Sequence, residues 1–271
     1  MMKRHRPKLG QHFLSDNRYC SRIADALELN AGDFVIEVGP GHGAVTGLLA
    51  SRAQSVIAIE IDPALADELR QKFLQSPNVE IVHGDVLLTD VGDICRRQGA
   101  EQCYVFGNLP YYITSPIIHH VLGSAKRVRA MGLLVQREVA DRLVAQPGSR
   151  DYGYLTVFTR FYSSARLVFD VPPGAFTPPP KVHSAFVRFE VHAGRRGISP
   201  ENEEKFLRFL KQAFAFKRKK LLNCLVPMYS RQEIEAELER LAVPFSIRAE
   251  ELSIEQFISI FLSVRHGMKA R

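Results

Sequence analysis

The chain has 271 residues, 46% of them hydrophobic and 24% charged, a composition typical of a globular protein with one α/β domain and a small appendage. Its apolar runs are far shorter than the ~20 residues of a membrane span, and MMKRHRPKLG at its start has no signal-peptide core. We therefore expect a cytoplasmic location and no membrane partner. Four separated cysteines, without a CxxC pair, argue against a disulfide framework and a metal site.

Positive charge is in excess, with a formal net charge of +7. The excess is concentrated in residues 186–271, where Lys and Arg outnumber Asp and Glu by five. A basic balance makes a polyanionic partner plausible but does not identify one. The basic part of the chain is therefore a candidate nucleic-acid surface.

Apolar segments bounded by Gly, Pro, Asn or Asp alternate with amphipathic segments in the first half of the chain. The apolar segments predict strands at 34–38, 55–61, 79–83, 104–108 and 131–136, and the amphipathic ones predict helices at 15–29, 44–53, 63–74, 116–124 and 137–145. Pro63 after Asp62, and Pro116 after Ser115, predict the first turns of two helices. This alternation indicates an α/β, Rossmann-like fold with a mostly parallel sheet covered on both faces.

The second half of the chain changes character. Segments 165–171 and 184–191 predict two late strands, which we expect to form a hairpin at one edge of the sheet. A polar linker follows at 193–203, and the remaining pattern is helical, with capping boxes predicted at Ser230–Glu233 and Ser253–Gln256. We therefore predict two domains, residues 1–192 and an all-helical domain at 193–271.

A glycine-rich loop, Glu37-Val38-Gly39-Pro40-Gly41-His42-Gly43, leads from a predicted strand into a helix. Glu60 ends the next strand, where a carboxylate can accept both hydroxyl protons of a ribose. Asp85 follows the third strand, where it can accept a hydrogen bond from an adenine amine. Two alternatives stay open: both acids can be structural, and Gly39-x-Gly41-x-x-Ala44 also fits the dinucleotide fingerprint of an NAD-dependent oxidoreductase.

The segment Asn108-Leu109-Pro110-Tyr111 follows the fourth strand, at the sheet edge where α/β proteins build their sites. The Asn108 side-chain oxygen and the Leu109 carbonyl are two acceptors that could make an adenine N6 amine more pyramidal. Pro110, which has no N–H, would help to hold that carbonyl, and Tyr111 could stack on the base. With a sulfonium methyl donor, in-line positioning would be enough for methyl transfer. As a structural alternative, four such residues can simply form a strand–turn.

Longer motifs connect these elements to a known family. They are GQHFLSD (10–16), EVGPGHGAVT (37–46), IEID (59–62), GD (84–85), FGNLPYYITSPI (106–117), QREVADRL (136–143) and FTPPPKVHSAF (176–186). In this order they span most of residues 8–190, and the chain resembles the ribosomal RNA adenine N6,N6-dimethyltransferase family, in particular its bacterial small-subunit branch. Relatives that methylate large-subunit rRNA usually have Ile at the position of Leu109, which favours the small-subunit interpretation.

The resemblance implies specific roles for the cofactor S-adenosyl-L-methionine and for RNA. It places His12 and Leu14 in a segment that closes over the cofactor, and it places Gly39 and Gly41 beside it. Glu60 would hold the ribose, Asp85 the adenine, and Asn108 the junction of cofactor and target amine. Phe176 would stack on the other face of the target base, although a buried Phe that anchors the loop is the structural alternative.

The resemblance further implies a substrate, two adjacent adenosines near the 3′ end of 16S rRNA in the immature small ribosomal subunit. The run Lys217-Arg218-Lys219-Lys220 is expected to contact phosphates, although such a run can also be a solvated face. We expect a monomer that needs no metal. A role as an assembly factor in small-subunit biogenesis is a second hypothesis, compatible with catalysis.

Overall fold

The computed structural model describes residues 12–110, 113–192 and 196–265. It divides the chain into two compact units. The first unit comprises the described residues up to Ala140 together with Ala165–Val191, and the second comprises Asp141–Ser164 and the described residues from His192 onwards. Among the helices of the described ranges, none is long and apolar enough to cross a membrane.

The strands and the first helices follow the predicted alternation. The strands are β1 (Phe13–Leu14), β2 (Phe34–Val38), β3 (Ser55–Glu60), β4 (Val79–His83), β5 (Cys103–Asn108), β6 (Val128–Gln136), β7 (Ser163–Val171), β8 (Phe176–Thr177) and β9 (Ser184–Val191). The helices in this part of the chain are α1 (Asn17–Ala26), α2 (Thr46–Ala50), α3 (Pro63–Lys72), α4 (Val91–Arg97), α5 (Thr114–Gly123) and α6 (Arg137–Val144).

The main sheet is mixed and confirms the predicted fold class. Within the described residues its order is β4-β3-β2-β5-β6-β9-β7. The strands from β4 to β6 pair in parallel, and β9 pairs antiparallel with β6. The late strands β7 and β9 are neighbours at one edge, as predicted. Every residue of β2 is buried, which agrees with a strand covered on both faces.

A second, two-stranded sheet was not predicted from the sequence. In it β1 pairs antiparallel with β8, with Phe13 opposite Thr177 and Leu14 opposite Phe176. A pairing between segments more than 160 residues apart leaves no periodic signal in either short segment. It holds the start of the described chain against the loop that follows β7.

One of the two predicted proline starts is confirmed and the other is wrong. Asp62 caps α3, because its carboxylate accepts a hydrogen bond from the Ala64 main-chain N–H at 2.8 Å. Helix α5 instead begins at Thr114, without a side-chain cap, so that Pro116 lies inside its first turn. Proline is tolerated there because the first N–H groups of a helix have no acceptor within it.

The second unit is helical around an aromatic core. It contains α7 (Tyr154–Tyr162), α8 (Pro200–Ala213), α9 (Leu221–Leu225), α10 (Arg231–Arg240) and α11 (Ile254–Val264). Phe206 lies between the rings of Phe161 and Phe261, with ring centroids 4.8 and 5.3 Å away. The sequence-based division assigned residues 141–164 to the first domain. They group with the second unit because α7 buries its aromatic side chains against α8.

Of the two predicted capping boxes, one is confirmed and one is wrong. Ser253 and Gln256 exchange side-chain and main-chain hydrogen bonds at the start of α11. Ser230 occupies the cap position of α10 but makes no side-chain capping bond. Its residue type fits the position, while its hydroxyl is not directed at the N–H of Glu233.

Candidate active site

Most of the predicted site residues of the first unit line one cavity at the carboxyl ends of the parallel strands. The first cavity is lined, among others, by His12, Gly39, Gly41, Glu60, Asp85, Asn108, Leu109, Pro110 and Phe176. Parallel pairing explains this convergence, because β2, β3, β4 and β5 all end at the same edge. Leu14 lines a second cavity, which shares Phe13, Gly39, Gly41 and Asn108 with the first.

The glycine-rich loop depends on backbone conformations that favour glycine. Gly39, Gly41 and Gly43 have φ angles of 66°, 57° and 71°. A Cβ on Gly41 would lie 2.7 Å from a ring carbon of Phe13, whereas one on Gly39 would make only an ordinary contact, at 3.7 Å, with the Asn108 carbonyl. The protein itself, and not only a ligand, therefore occupies the space that a side chain on Gly41 would need.

Glu60 is a buried carboxylate that supports the loop. Its side chain accepts hydrogen bonds from the main-chain N–H of Gly41 at 3.2 Å and of Asp62 at 3.0 Å. Burial raises the pKa of Glu60 above its ordinary value, although the hydrogen bonds from main-chain N–H groups oppose that shift. Each of its oxygens can accept a further bond, so Glu60 can serve the loop and a ligand in the cavity together.

Asp85 has a structural role and also lies at the candidate cofactor site. Its Oδ1 accepts a hydrogen bond from the Leu87 main-chain N–H at 2.9 Å, which caps a short turn, and the residue also lines the first cavity. Helix α5 stabilises the end of this turn, because His120 Nε2 donates a hydrogen bond to the Thr89 carbonyl at 2.8 Å. The role of His120 here is structural.

Asn108 sits where the two cavities meet, and its side chain has a defined orientation. Its Nδ2 donates a hydrogen bond to the main-chain oxygen of His12 at 3.3 Å. Within the described chain, no donor pairs with its Oδ1. The following turn is held by Pro110, whose carbonyl accepts from the Ile113 N–H at 3.1 Å and from the Thr114 hydroxyl at 3.3 Å. Tyr111, the last residue of the predicted segment, lies outside the described residues.

The two-stranded sheet of β1 and β8 forms the remaining wall of the first cavity. Phe176 is only 4% exposed, yet it lines the first cavity, so it anchors the loop and presents part of its ring to the cavity. His12 lies beside the same loop, with its Nδ1 2.8 Å from the carbonyl of Pro178. The pairing of β1 with β8 thus brings His12, Leu14 and Phe176 to one place.

Sequence reasoning missed several lining residues. The apolar ones include Phe13, Ile61 and Ile113, which lie within the family motifs but were given no role of their own. Glu37 lies within the glycine motif but was given no role. It is 1% exposed and lines the second cavity, and its Oε2 has no hydrogen-bond partner in the described chain. A carboxyl group inside the apolar strand FVIEV was the signal that could have found it.

Burial changes the acidity of Glu37. It raises the pKa of this carboxyl to about 7. The nearby Thr46 opposes the shift without reaching regular hydrogen-bond geometry, and Lys72 opposes it more weakly. The second cavity therefore contains a carboxyl group that gains or loses its proton close to neutral pH.

The predicted basic run lies in the second unit. Lys217, Arg218, Lys219 and Lys220 are all exposed and precede α9. None of them forms an ion pair with a carboxylate of the described residues. Four exposed cations that form no ion pair with the described carboxylates are available to a polyanion.

Comparison with known families decides between the interpretations that the geometry leaves open. The sequence model of ribosomal RNA adenine dimethylase matches residues 2–266. The chain belongs to the ribosomal RNA adenine dimethylase family. Membership makes it a methyltransferase and sets aside the alternative of an NAD-dependent oxidoreductase.

Members of this family with similar sequences span nearly the whole chain. The ribosomal RNA small subunit methyltransferase A of Acidobacterium capsulatum is 41% identical over 95% of this chain and 90% of its own length. The protein of the same name from Geobacter metallireducens is 38% identical over 95% of this chain and 94% of its own length.

Solved structures of rRNA adenine dimethylase relatives share the fold. The 23S rRNA methyltransferase ErmE superposes with a TM-score of 0.75 at 30% identity, covering 93% of this chain and 99% of ErmE. A dimethyladenosine transferase from Plasmodium falciparum superposes with a TM-score of 0.76, covering 93% of this chain and 96% of its own, at 23% identity, which supports the fold alone.

Proposed function

We propose that this methyltransferase transfers methyl groups from S-adenosyl-L-methionine to N6 of two adjacent adenosines near the 3′ end of 16S rRNA. The substrate would be the immature small ribosomal subunit, so that the reaction belongs to small-subunit biogenesis. Support for the subunit comes from relatives up to 41% identical over 95% of the chain, which are named for the small subunit.

One observation carries the chemical part of the proposal. The Asn108 amide donates to the His12 carbonyl through Nδ2, and its Oδ1 has no donor among the described residues. A planar amide fixed on one side directs its oxygen away from that contact. An acceptor that is oriented in advance, at the junction of two cavities, suits an amine that must be positioned for attack.

The residues present fit the proposed methyl donor. The first cavity has apolar walls and two carboxylates, Glu60 and Asp85, on neighbouring strand ends, as the ribose and adenine of an adenosine require. In the second cavity the Oε2 of Glu37, which has no partner within the part of the chain that the structure describes, would suit the donor's ammonium group. When bound, S-adenosyl-L-methionine supplies an electrophilic methyl group on a sulfonium.

The chain's own residues would prepare the amine. Asn108 Oδ1 and the Leu109 carbonyl, acting as acceptors for the two N6 protons, would localise the nitrogen lone pair and aim it at the donor. Leu109 is well anchored for this task, because it is 3% exposed and its N–H donates to the Leu134 carbonyl at 3.3 Å. Phe176 would stack on the base, and Tyr111 would add a second ring.

The second unit would hold the RNA by charge. The exposed run from Lys217 to Lys220 would contact phosphates and so orient the substrate without reading its sequence. The target adenosines must be unpaired or extruded, because a stacked base does not present N6 to an in-line donor.

Methyl transfer to immature small subunits that lack the modification tests this function. Wild-type protein with a labelled donor should incorporate label, and primer extension should map it to two adjacent adenosines near the 3′ end of 16S rRNA. Asn108→Ala should abolish incorporation while donor affinity changes little. Asn223→Ala is a matched control, because Asn223 is exposed in the second unit and lines neither cavity.

Two outcomes would contradict the proposal. Full turnover by Asn108→Ala would remove the proposed mechanism. When unmodified large-subunit rRNA is offered in a parallel reaction, label confined to 23S rRNA would assign the chain to large-subunit modification, which the 30% identity with ErmE makes the specific competing function.

A further inference from the structure

Two phenylalanine side chains of the second unit are exposed to solvent. Phe216 is 51% exposed and Phe245 is 42% exposed, although other large aromatic residues of this unit, such as Phe206 and Phe257, are fully buried. Burying an aromatic ring is strongly favourable. A phenylalanine at the surface therefore indicates a binding site when other residues suited to the same ligand lie near it. Here the two rings lie on segments that are joined by a main-chain hydrogen bond, and a cation lies over one of them.

The segments that carry the two rings are bonded to each other. Phe216 starts a turn in which the Lys219 N–H donates to the Phe216 carbonyl at 3.1 Å, and the Ile247 N–H closes a second turn onto the Pro244 carbonyl at 2.9 Å. The Leu221 N–H then donates to the Ile247 carbonyl at 2.8 Å. This bond joins the first residue of α9, five residues after Phe216, to the residue two positions after Phe245.

Positive charge accompanies the rings. The Lys219 ammonium lies 4.3 Å from the centroid of the Phe216 ring, in a cation–π contact. The neighbouring side chains from Lys217 to Lys220 are exposed and make no ion pair with the described carboxylates, and Arg248, just after the second loop, is exposed as well. We name this surface, formed by Phe216, residues 217–220, Phe245 and Arg248, the aromatic-basic patch.

We propose that the aromatic-basic patch binds unpaired RNA, with Phe216 and Phe245 stacking on bases while the cations contact phosphates. The inference rests on the proposed function, which supplies RNA as the substrate, and it adds a base-stacking role to the phosphate contacts. Surfaces for single-stranded nucleic acid combine these two components, because every base has an apolar face next to a charged backbone. The centres of protein interfaces are instead depleted of charged residues, so a protein partner fits this patch less well.

Binding of the full-length chain to two RNAs tests the proposal. The probes are fluorescein-labelled oligoadenylate and a blunt RNA duplex with the same number of phosphates, titrated at several salt concentrations. Phe216→Leu and Phe245→Leu should each raise the Kd for oligoadenylate about fivefold or more and leave duplex binding unchanged. The slope of log Kd against log salt should stay the same, because no charge is removed.

Three further variants make the comparison specific. Lys217→Ala should weaken binding to both RNAs and lower the salt slope by about one, as expected for a lost phosphate contact. Phe216→Trp should retain oligoadenylate binding, because it keeps a stacking surface. Leu74→Ala, at a position 70% exposed in the first unit, should behave as wild type.

The two phenylalanine variants overturn the inference if they bind oligoadenylate as tightly as wild type. Equal weakening on both RNAs would also overturn it, since this would indicate a structural or purely electrostatic effect. A methyl-transfer assay on the same preparations separates this result from the proposed function. Wild-type protein without transfer to rRNA would refute that function and leave the RNA-binding comparison readable.

Discussion

The Asn108 side chain donates a hydrogen bond from Nδ2 to the main-chain oxygen of His12, at 3.3 Å, across a sequence separation of 96 residues. This contact joins the last residue of β5 to the residue just before β1, the strand that pairs with β8. It therefore couples the orientation of the candidate catalytic amide to the closure of the cavity.

Asn108→Asp tests that coupling. An aspartate keeps acceptor oxygens but has no N–H for the His12 carbonyl, and the two oxygens would repel each other. We expect donor affinity about tenfold lower than in Asn108→Ala, together with loss of methyl transfer, because an unmet hydrogen bond to a charged group costs about 1.5–3 kcal/mol. Calorimetric titration with S-adenosyl-L-methionine measures it, and equal affinities of the two variants would contradict the coupling.

Glu60→Gln tests the carboxylate at the end of β3. Glutamine has the same size, but its NH₂ group would face one of the two main-chain donors, Gly41 or Asp62, that now bond to the carboxylate. We expect donor affinity to fall roughly ten- to a hundredfold. Glu68→Gln is the control, since Glu68 is 50% exposed and pairs only with His42 among the described residues. A similar loss in both variants would refute the role of Glu60.

Two glycine substitutions separate backbone strain from steric contact. Gly39→Ala and Gly41→Ala both place an alanine at positive φ, but only the second drives its Cβ to 2.7 Å from the Phe13 ring. We expect a loss of about 1 kcal/mol in the free energy of unfolding for Gly39→Ala, and about 1–3 kcal/mol more for Gly41→Ala. Urea unfolding measures both values. Equal losses would show that Phe13 moves aside freely.

The pH dependence of stability tests Glu37. Its pKa is raised from 4.5 to about 7 in the folded protein, so between these values the folded chain holds a proton that the unfolded chain has released. The contribution of Glu37 is therefore fully present below about pH 4.5 and is lost as the pH rises through 7.

Glu37→Gln should remove that part of the pH dependence. Relative to wild type, the variant should gain up to about 3 kcal/mol in the free energy of unfolding between pH 5 and pH 8. Urea unfolding of both proteins across this range provides the measurement. Parallel curves would show that Glu37 keeps an ordinary pKa.

Local sequence patterns predicted many of the site residues, because these residues lie at the ends of consecutive parallel strands. Gly39, Glu60, Asp85 and Asn108 each come directly after an apolar strand or close it, so a parallel sheet brings them to one edge. Phe13 and Phe176 could not be placed in this way. Each lies in a two-residue strand whose partner is distant in sequence, and no periodicity predicts that pairing.

The amino-acid sequence by itself determined the alternation of strands and helices, the edge that gathers the polar residues, and the family. These are consequences of local hydrophobic patterning and of motifs with fixed spacing. Only the tertiary structure decided that residues 141–164 join the helical unit, that Glu37 is buried with no partner for Oε2 among the described residues, and that Asn108 is held by His12. The physical reason is common to all three: burial, acidity and hydrogen bonding depend on which distant side chains displace water from a group, and neighbouring residues in the sequence do not encode that.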